Sequence, residues 1–159
     1  TKGNLLNIVV GQGDVLVTPL QLAQFAGMLA QRGTQFEPHF VNRVVSKNGD
    51  VIEENISQSR DRVTASKDSW DFVHQAMWDV VNGKKGTARA ARQKDWEIYG
   101  KTGTAQNPHG EDHAWFIGFS LDERYPYSWA VLLENGGGGG GIAAPLIGKI
   151  LRNIAKRPS

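Results

Sequence analysis

Apolar residues recur at helical spacing soon after the start of the chain. Thr18 and Pro19 precede this run and suit a helix N-terminus, because Thr is a good N-cap and Pro is favoured at the first helical position. The apolar positions then repeat every three or four residues until Gly33 interrupts them. The pattern predicts a helix from about Pro19 to Arg32.

A second run with helical spacing lies near the middle of the chain. Thr64 or Ser66 is the expected N-cap, and Gly83 is the expected end. The run predicts a helix from about Lys67 to Asn82, with one apolar face made by Trp70, Val73, Ala76, Met77, Val80 and Val81.

Between these helices the pattern changes to a period of two. Residues alternate from Phe40 to Ser46, Lys47–Asp50 has turn composition, and apolar residues resume at Val51 and Ile52. This arrangement predicts a β-hairpin. The polar stretch Glu53–Arg62 lacks both periods, and we expect it to be a loop.

The last third of the chain reads as three strands followed by a helix. Three strands are predicted at Trp96–Ala105, Ala114–Leu121 and Tyr127–Glu134, after a single helical turn at about Gly86–Ala91. Six consecutive glycines, Gly136–Gly141, follow; their backbone entropy is too high for a strand, so we expect a mobile or specially shaped loop. An apolar helix is then predicted from Leu146 to Ile154.

The length of 159 residues fits one domain. A net charge of +2, with no basic run longer than two residues, argues against nucleic acid as a partner. The absence of cysteine excludes disulfides, thiolate metal sites and a Cys nucleophile. The start, Thr1–Asn4, has no initiator Met and leads into the apolar Leu5–Val10, so we expect a cut inside a longer protein.

The candidate chemistry lies in Lys101-Thr102-Gly103-Thr104, at the end of the first of the three closing strands. Lys101 supplies a positive charge, and Thr102 and Thr104 supply short, stiff hydroxyl donors. Gly103 lets another backbone approach the strand. The set suits an extended, anionic peptide, but pleating sends Lys101 and Thr102 to opposite faces, so both serve one site only if the strand borders a cleft.

A metal site is the other chemistry to consider. The segment His109–His113 holds four possible ligands, with the two His residues four positions apart. Pro108 and Gly110 argue against a helix there, so the required geometry is not expected. We predict an exposed loop, no metal and no cofactor.

Lys-Thr-Gly is also one of the motifs of penicillin-binding proteins and class A β-lactamases. Five segments, in order, resemble class B penicillin-binding proteins, with the greatest likeness to the elongation type, penicillin-binding protein 2. These segments are Gly11-Gln12-Gly13 with Val17–Ala23, Gly86-Thr87-Ala88, Lys101–Gln106, Asp112–Phe116 and Leu133–Gly137.

The resemblance implies an α+β, serine β-lactamase/transpeptidase-like fold, in which an antiparallel sheet is flanked by helices. Residues 1–159 are then the C-terminal portion of this transpeptidase domain, with about three of its five strands. It implies a peptidoglycan D,D-transpeptidase that forms a Ser acyl-enzyme with a D-Ala-D-Ala stem peptide and binds β-lactams. By that likeness, Lys101 and Thr104 are catalytic, with the Thr104 N–H in the oxyanion hole. Thr102, Gly103 and Thr104 bind the substrate, whose carboxylate the two threonine hydroxyls hold.

The nucleophile is expected elsewhere. None of the eight serines begins Ser-x-x-Lys. We expect the Ser-x-x-Lys and Ser-x-Asn segments in the missing N-terminal part of the same domain, so the isolated chain is predicted to be inactive. The resemblance further implies a parent with a membrane anchor at the outer face of the bacterial cytoplasmic membrane. Two alternatives stay open: a non-catalytic module that binds peptidoglycan peptides, and a serine β-lactamase or sensor domain.

Overall fold

Three helices begin and end close to their predicted positions. In the computed structural model, which describes residues 6, 11–12, 15–55 and 57–156, α1 spans Pro19–Ala30, α2 spans Lys67–Asn82 and α3 spans Ala144–Ala155. Apart from Leu6, the apolar segment at positions 5–10 lies outside the described residues. None of the helices in the described ranges is long and apolar enough to cross a membrane.

Side-chain caps explain where the first two helices begin. The Thr18 hydroxyl accepts a hydrogen bond from the Gln21 N–H, and the Gln21 side chain accepts one from the Thr18 N–H, which forms a capping box. Of the two N-cap candidates for α2, Ser66 and not Thr64 caps the helix. Its hydroxyl accepts a hydrogen bond from the Ser69 N–H at 3.1 Å. Each cap satisfies a backbone donor that has no partner inside the helix.

Two small two-stranded sheets lie between α1 and α2. The strands are β1 (Thr34–Phe36), β2 (Arg43–Val45), β3 (Val51–Glu54) and β4 (Ser59–Arg62). Antiparallel pairing of β2 with β3 confirms the predicted hairpin.

The prediction of a loop over Glu53–Arg62 is wrong. β3 continues to Glu54, and β4 pairs antiparallel with β1, with Thr34 opposite Arg62. The side chains of β3 are exposed, so burial does not impose an alternating pattern on them. Backbone pairing with a distant segment creates β4, and a local pattern does not report such pairing.

The central sheet holds the three predicted closing strands, β5 (Ile98–Ala105), β6 (His113–Ser120) and β7 (Ser128–Leu133). They are antiparallel in the order β5-β6-β7, so β5 is an edge strand of this sheet. The register places Thr102 opposite Phe116 and Thr104 opposite Ala114.

Helices cover both faces of this sheet. On one face Ile98, Phe116 and the α3 residues Ile147 and Leu151 form a buried cluster. On the other face Phe119 packs with residues of α1 and α2, namely Met28, Leu29 and Met77. This α+β architecture, an antiparallel sheet flanked by helices, confirms the predicted fold class.

Candidate functional site

The predicted site residues, Lys101 to Thr104, all lie in β5, at the edge of the central sheet. Carbonyl groups along β5 show which way that edge faces. The carbonyl oxygen of Ile98 accepts a hydrogen bond from Asn82 Nδ2 at 3.0 Å, and that of Thr104 accepts one from Gln12 Nε2 at 3.0 Å. Neither donor belongs to β6, so these carbonyl groups point away from the sheet.

This direction also fixes the Thr104 N–H. In an antiparallel ladder the N–H and C=O of one residue point to the same side of the strand. The Thr104 N–H therefore points outward, toward the edge that β6 does not cover. An outward N–H at the end of an edge strand can donate to the backbone or oxyanion of an extended ligand.

Lys101 lies at the same edge. Its side chain is exposed, and its Nζ donates to the carbonyl oxygen of Thr102 at 2.5 Å. Pleating sends Lys101 and Gly103 to one face of the sheet and Thr102 and Thr104 to the other. Because β5 is an edge strand, a ligand lying along it can nevertheless reach both faces.

Two contacts from other segments hold the two threonine hydroxyls. Thr102 Oγ1 lies 3.1 Å from Thr87 Oγ1, and Thr104 Oγ1 accepts a hydrogen bond from the Gly139 N–H at 3.4 Å. The sequence alone did not reveal these contacts. The available signals were the Gly-Thr-Ala segment and the glycine run, but neither identifies its partner.

The glycine run lies against the site strand. A β-carbon on Gly139 would be 2.3 Å from the carbonyl oxygens of both Gly103 and Trp115, and one on Gly140 would be 2.6 Å from that of Thr87. Residues Gly139–Ala143 form one wide helical turn that continues into α3. The run is thus specially shaped, as one of the two predicted options, and small residues are needed where it meets β5.

A cavity of about 500 Å³ lies beside the first half of β5 and not beside the site. Tyr99 and His74 are among its lining residues, and Lys101 is not. Burial, and secondarily the Glu97 carboxylate, raise the pKa of Tyr99. The candidate site is therefore an open strand edge and not this cavity.

The segment with four possible metal ligands is a hydrogen-bonded loop. The Asp112 carboxylate accepts from the Asn107 N–H, and His113 Nδ1 accepts from the Asn135 N–H at 3.0 Å. Within the described ranges, no three His, Asp or Glu side chains group as a metal site would require. These hydrogen bonds tie the β5–β6 loop to the end of β7.

One tripeptide, Ser46-Lys47-Asn48, matches the pattern Ser-x-Asn, although we expected that motif in the N-terminal part of the domain. It lies in the turn between β2 and β3. The Ser46 hydroxyl accepts from the N–H groups of Asn48 and Asp50 at 3.2 and 3.1 Å. Ser46 is therefore a turn-forming residue of the hairpin.

The chain resembles known proteins both in sequence and in structure. Residues 3–152 match the family described as the penicillin binding protein transpeptidase domain. The chain is 32% identical to peptidoglycan D,D-transpeptidase MrdA of Haemophilus influenzae, covering 94% of this chain and 25% of that protein. It is 31% identical to MrdA of Acinetobacter baumannii, covering 99% of this chain and 26% of that protein. The chain thus spans about a quarter of the length of these curated relatives.

The fold is also similar to those of solved penicillin-binding protein structures. The crystal structure of Pseudomonas aeruginosa PBP2 in complex with WCK 5153 matches with a TM-score of 0.78 and 33% identity, covering 99% of this chain and 33% of that one. Penicillin-binding protein A from M. tuberculosis, as an imipenem acyl-enzyme complex, matches with a TM-score of 0.75 and 25% identity, covering 91% of this chain and 32% of that one. The family match covers nearly the whole chain, and on that ground this chain belongs to the penicillin-binding protein transpeptidase domain family.

Proposed function

We propose that this chain is the part of a peptidoglycan D,D-transpeptidase that carries the substrate-binding strand and half of the oxyanion hole. The observation that carries the proposal is the open edge of β5, a strand that bears Lys101, the outward Thr104 N–H and the two threonine hydroxyls. The relatives named D,D-transpeptidase support the proposal, and so does the structurally similar acyl-enzyme complex of penicillin-binding protein A.

The chemistry follows from these groups. A Ser hydroxyl from another part of the polypeptide attacks the carbonyl carbon between the two D-Ala residues of a stem peptide. The Thr104 N–H stabilises the oxyanion that forms, and the bond to the last D-Ala breaks as that residue leaves with a proton. An amine of a second stem then takes the acyl group and frees the Ser.

Substrate binding uses the same strand. The terminal carboxylate of the donor stem accepts hydrogen bonds from Thr102 and Thr104, while Lys101 supplies positive charge. Gly103 leaves room for the backbone of the stem to lie along β5. β-Lactams carry a carboxylate and a strained amide in a similar arrangement, so they occupy the same edge and acylate the same Ser.

The proposal extends to the protein that carries this segment. Ser-x-x-Lys is absent from the chain, so the chain by itself does not acylate. The full-length protein acts in the bacterial cell envelope, at the outer face of the cytoplasmic membrane, where an anchor outside this segment holds it. Its role in the elongation type of cell-wall synthesis makes it a determinant of cell shape.

Labelling with a fluorescent penicillin tests this function. The full-length protein is expected to form a stable covalent adduct, and Lys101→Ala to slow its formation by about 10²-fold, the scale of a lost transition-state contact. Lys149→Ala is the matched control, because Lys149 is exposed on α3 and outside the site strand.

The other results separate the remaining functions. Rapid turnover of the penicillin would identify a serine β-lactamase. Absence of any adduct, together with binding of a D-Ala-D-Ala peptide, would identify a non-catalytic peptidoglycan-binding module.

A further inference from the structure

Each hydroxyl of the site strand has one partner from a distant segment. Thr87 contacts the Thr102 hydroxyl at 3.1 Å, and the Gly139 N–H donates to the Thr104 hydroxyl at 3.4 Å. The second contact leaves the Thr104 proton free, because its oxygen is the acceptor. The first is a contact between two hydroxyls, so its direction depends on what else Thr102 binds.

The backbone around Thr87 is held on two sides. The Ala88 N–H donates to the carbonyl oxygen of Val80 at 2.9 Å, and Ala88 is fully buried. On the other side the glycine run approaches closely, since a β-carbon on Gly140 would lie 2.6 Å from the Thr87 carbonyl oxygen. Thr87 therefore presents its hydroxyl to Thr102 from a packed backbone.

Hydroxyl chemistry gives this contact a consequence. A Thr hydroxyl carries one proton, and an ionised carboxylate only accepts. Thr102 can donate to a bound carboxylate only when it does not donate to Thr87. When Thr87 donates instead, the Thr102 proton is free for the ligand, and the chain of two hydrogen bonds strengthens that donor. The β-branched Thr87 side chain has few χ1 rotamers, which holds its oxygen beside Thr102 while the hydroxyl hydrogen stays free to rotate.

We infer that Thr87 is a positioning residue, which orients the Thr102 hydroxyl toward the carboxylate of the stem peptide or β-lactam. The inference rests on the proposed function, because it assigns a role to a neighbour of the same site. It predicts that Thr87 affects only ligands whose carboxylate is free.

The test uses acylation of the full-length protein by benzylpenicillin and by its methyl ester, whose carboxylate is blocked. Thr87→Val is expected to lower the second-order acylation rate constant for benzylpenicillin by about five- to tenfold, the value of one net hydrogen bond. For the ester the same variant is expected to match the wild type within about twofold, a residual spread below the smallest net hydrogen-bond effect.

Two further variants sharpen the result. Thr87→Ser keeps the hydroxyl and is expected to retain most of the wild-type rate. The double variant Thr87→Val with Thr102→Val is expected to be no slower than Thr102→Val alone, because both changes remove one interaction. Thr64→Val, at an exposed threonine outside the site, is the matched control and is expected to change neither rate.

If the wild type is acylated, three outcomes would overturn the inference about Thr87 and leave the proposed function standing. These are an unchanged rate in Thr87→Val, an equal loss with benzylpenicillin and with the ester, and a Thr87→Ser variant as slow as Thr87→Val. A wild type that neither ligand acylates would instead overturn the proposed function, and the inference with it.

Discussion

A β-carbon added to Gly139 would lie 2.3 Å from the carbonyl oxygen of Gly103, closer than a carbon and an oxygen can approach without displacement. The glycine run therefore contacts the backbone of the site strand directly. The same turn places the Gly139 N–H on the Thr104 hydroxyl. One loop thus supports the site strand both by packing and by a hydrogen bond.

Replacing this glycine should disturb the site. Gly139→Ala is expected to destabilise the domain by about 1–3 kcal/mol, the usual effect of overpacking, and to slow penicillin acylation because β5 or the loop must move. Gly141→Ala is the matched control, since a β-carbon there has no atom within 4 Å. Thermal unfolding and acylation rates measure both effects. Equal behaviour of the two variants would contradict the packing argument.

Asn82 is hydrogen-bonded to the edge of β5 at the start of that strand. Its Nδ2 donates to the carbonyl oxygens of Ile98 at 3.0 Å and Trp78 at 3.1 Å. Asn82→Ala is expected to cost about 1–2 kcal/mol through these lost hydrogen bonds. Asn153→Ala is the control, because it makes the same substitution at an exposed position of α3. Chemical denaturation of both variants isolates the contribution of the hydrogen bonds, and a cost shared by both would refute it.

The N-cap of α2 predicts a difference between two nearby hydroxyls. Ser66→Ala is expected to lower the free energy of unfolding by about 1 kcal/mol, because it leaves the Ser69 N–H without its side-chain acceptor. Thr64→Ala, two residues earlier, is expected to change stability little. Denaturant titration of the two variants measures the difference. The reverse ranking would show that the helix begins at another residue.

Asp71 should make stability depend on acid pH. Hydrogen bonds from Lys67 first, and then from Arg32, lower the pKa of Asp71 below its ordinary value. A lowered folded-state pKa means that the stabilisation is present above the unfolded-state pKa of about 3.9 and is lost as the pH falls through the folded-state value.

Removing the charge of Asp71 should therefore lower the stability of the protein more at neutral pH than at acid pH. Asp71→Asn is expected to lower the melting temperature at pH 7 by more than at pH 2–3, and high salt should reduce the effect because the group is partly exposed. Melting temperatures of both proteins across this range give the comparison. A difference that does not change with pH would mean that packing, and not charge, is responsible.

Local sequence determined most of the helices and the three closing strands. Thr18 with Pro19 marks the start of α1, and α2 ends at Asn82, as predicted. These signals lie within a few residues of one another, because capping and helical periodicity act over one or two turns. The motif beginning at Lys101 was likewise visible, since its chemistry depends on adjacent residues.

Tertiary structure alone decided what holds the site together. β4 forms because it meets β1, and its polar sequence did not indicate a strand. Thr102 meets Thr87 across 15 positions of sequence, and Thr104 meets Gly139 across 35. Contacts between distant segments depend on how the whole chain packs, whereas composition and periodicity report only on near neighbours. The sequence therefore predicted the strand that we propose carries the chemistry, and the fold supplied the contacts to its two threonine hydroxyls.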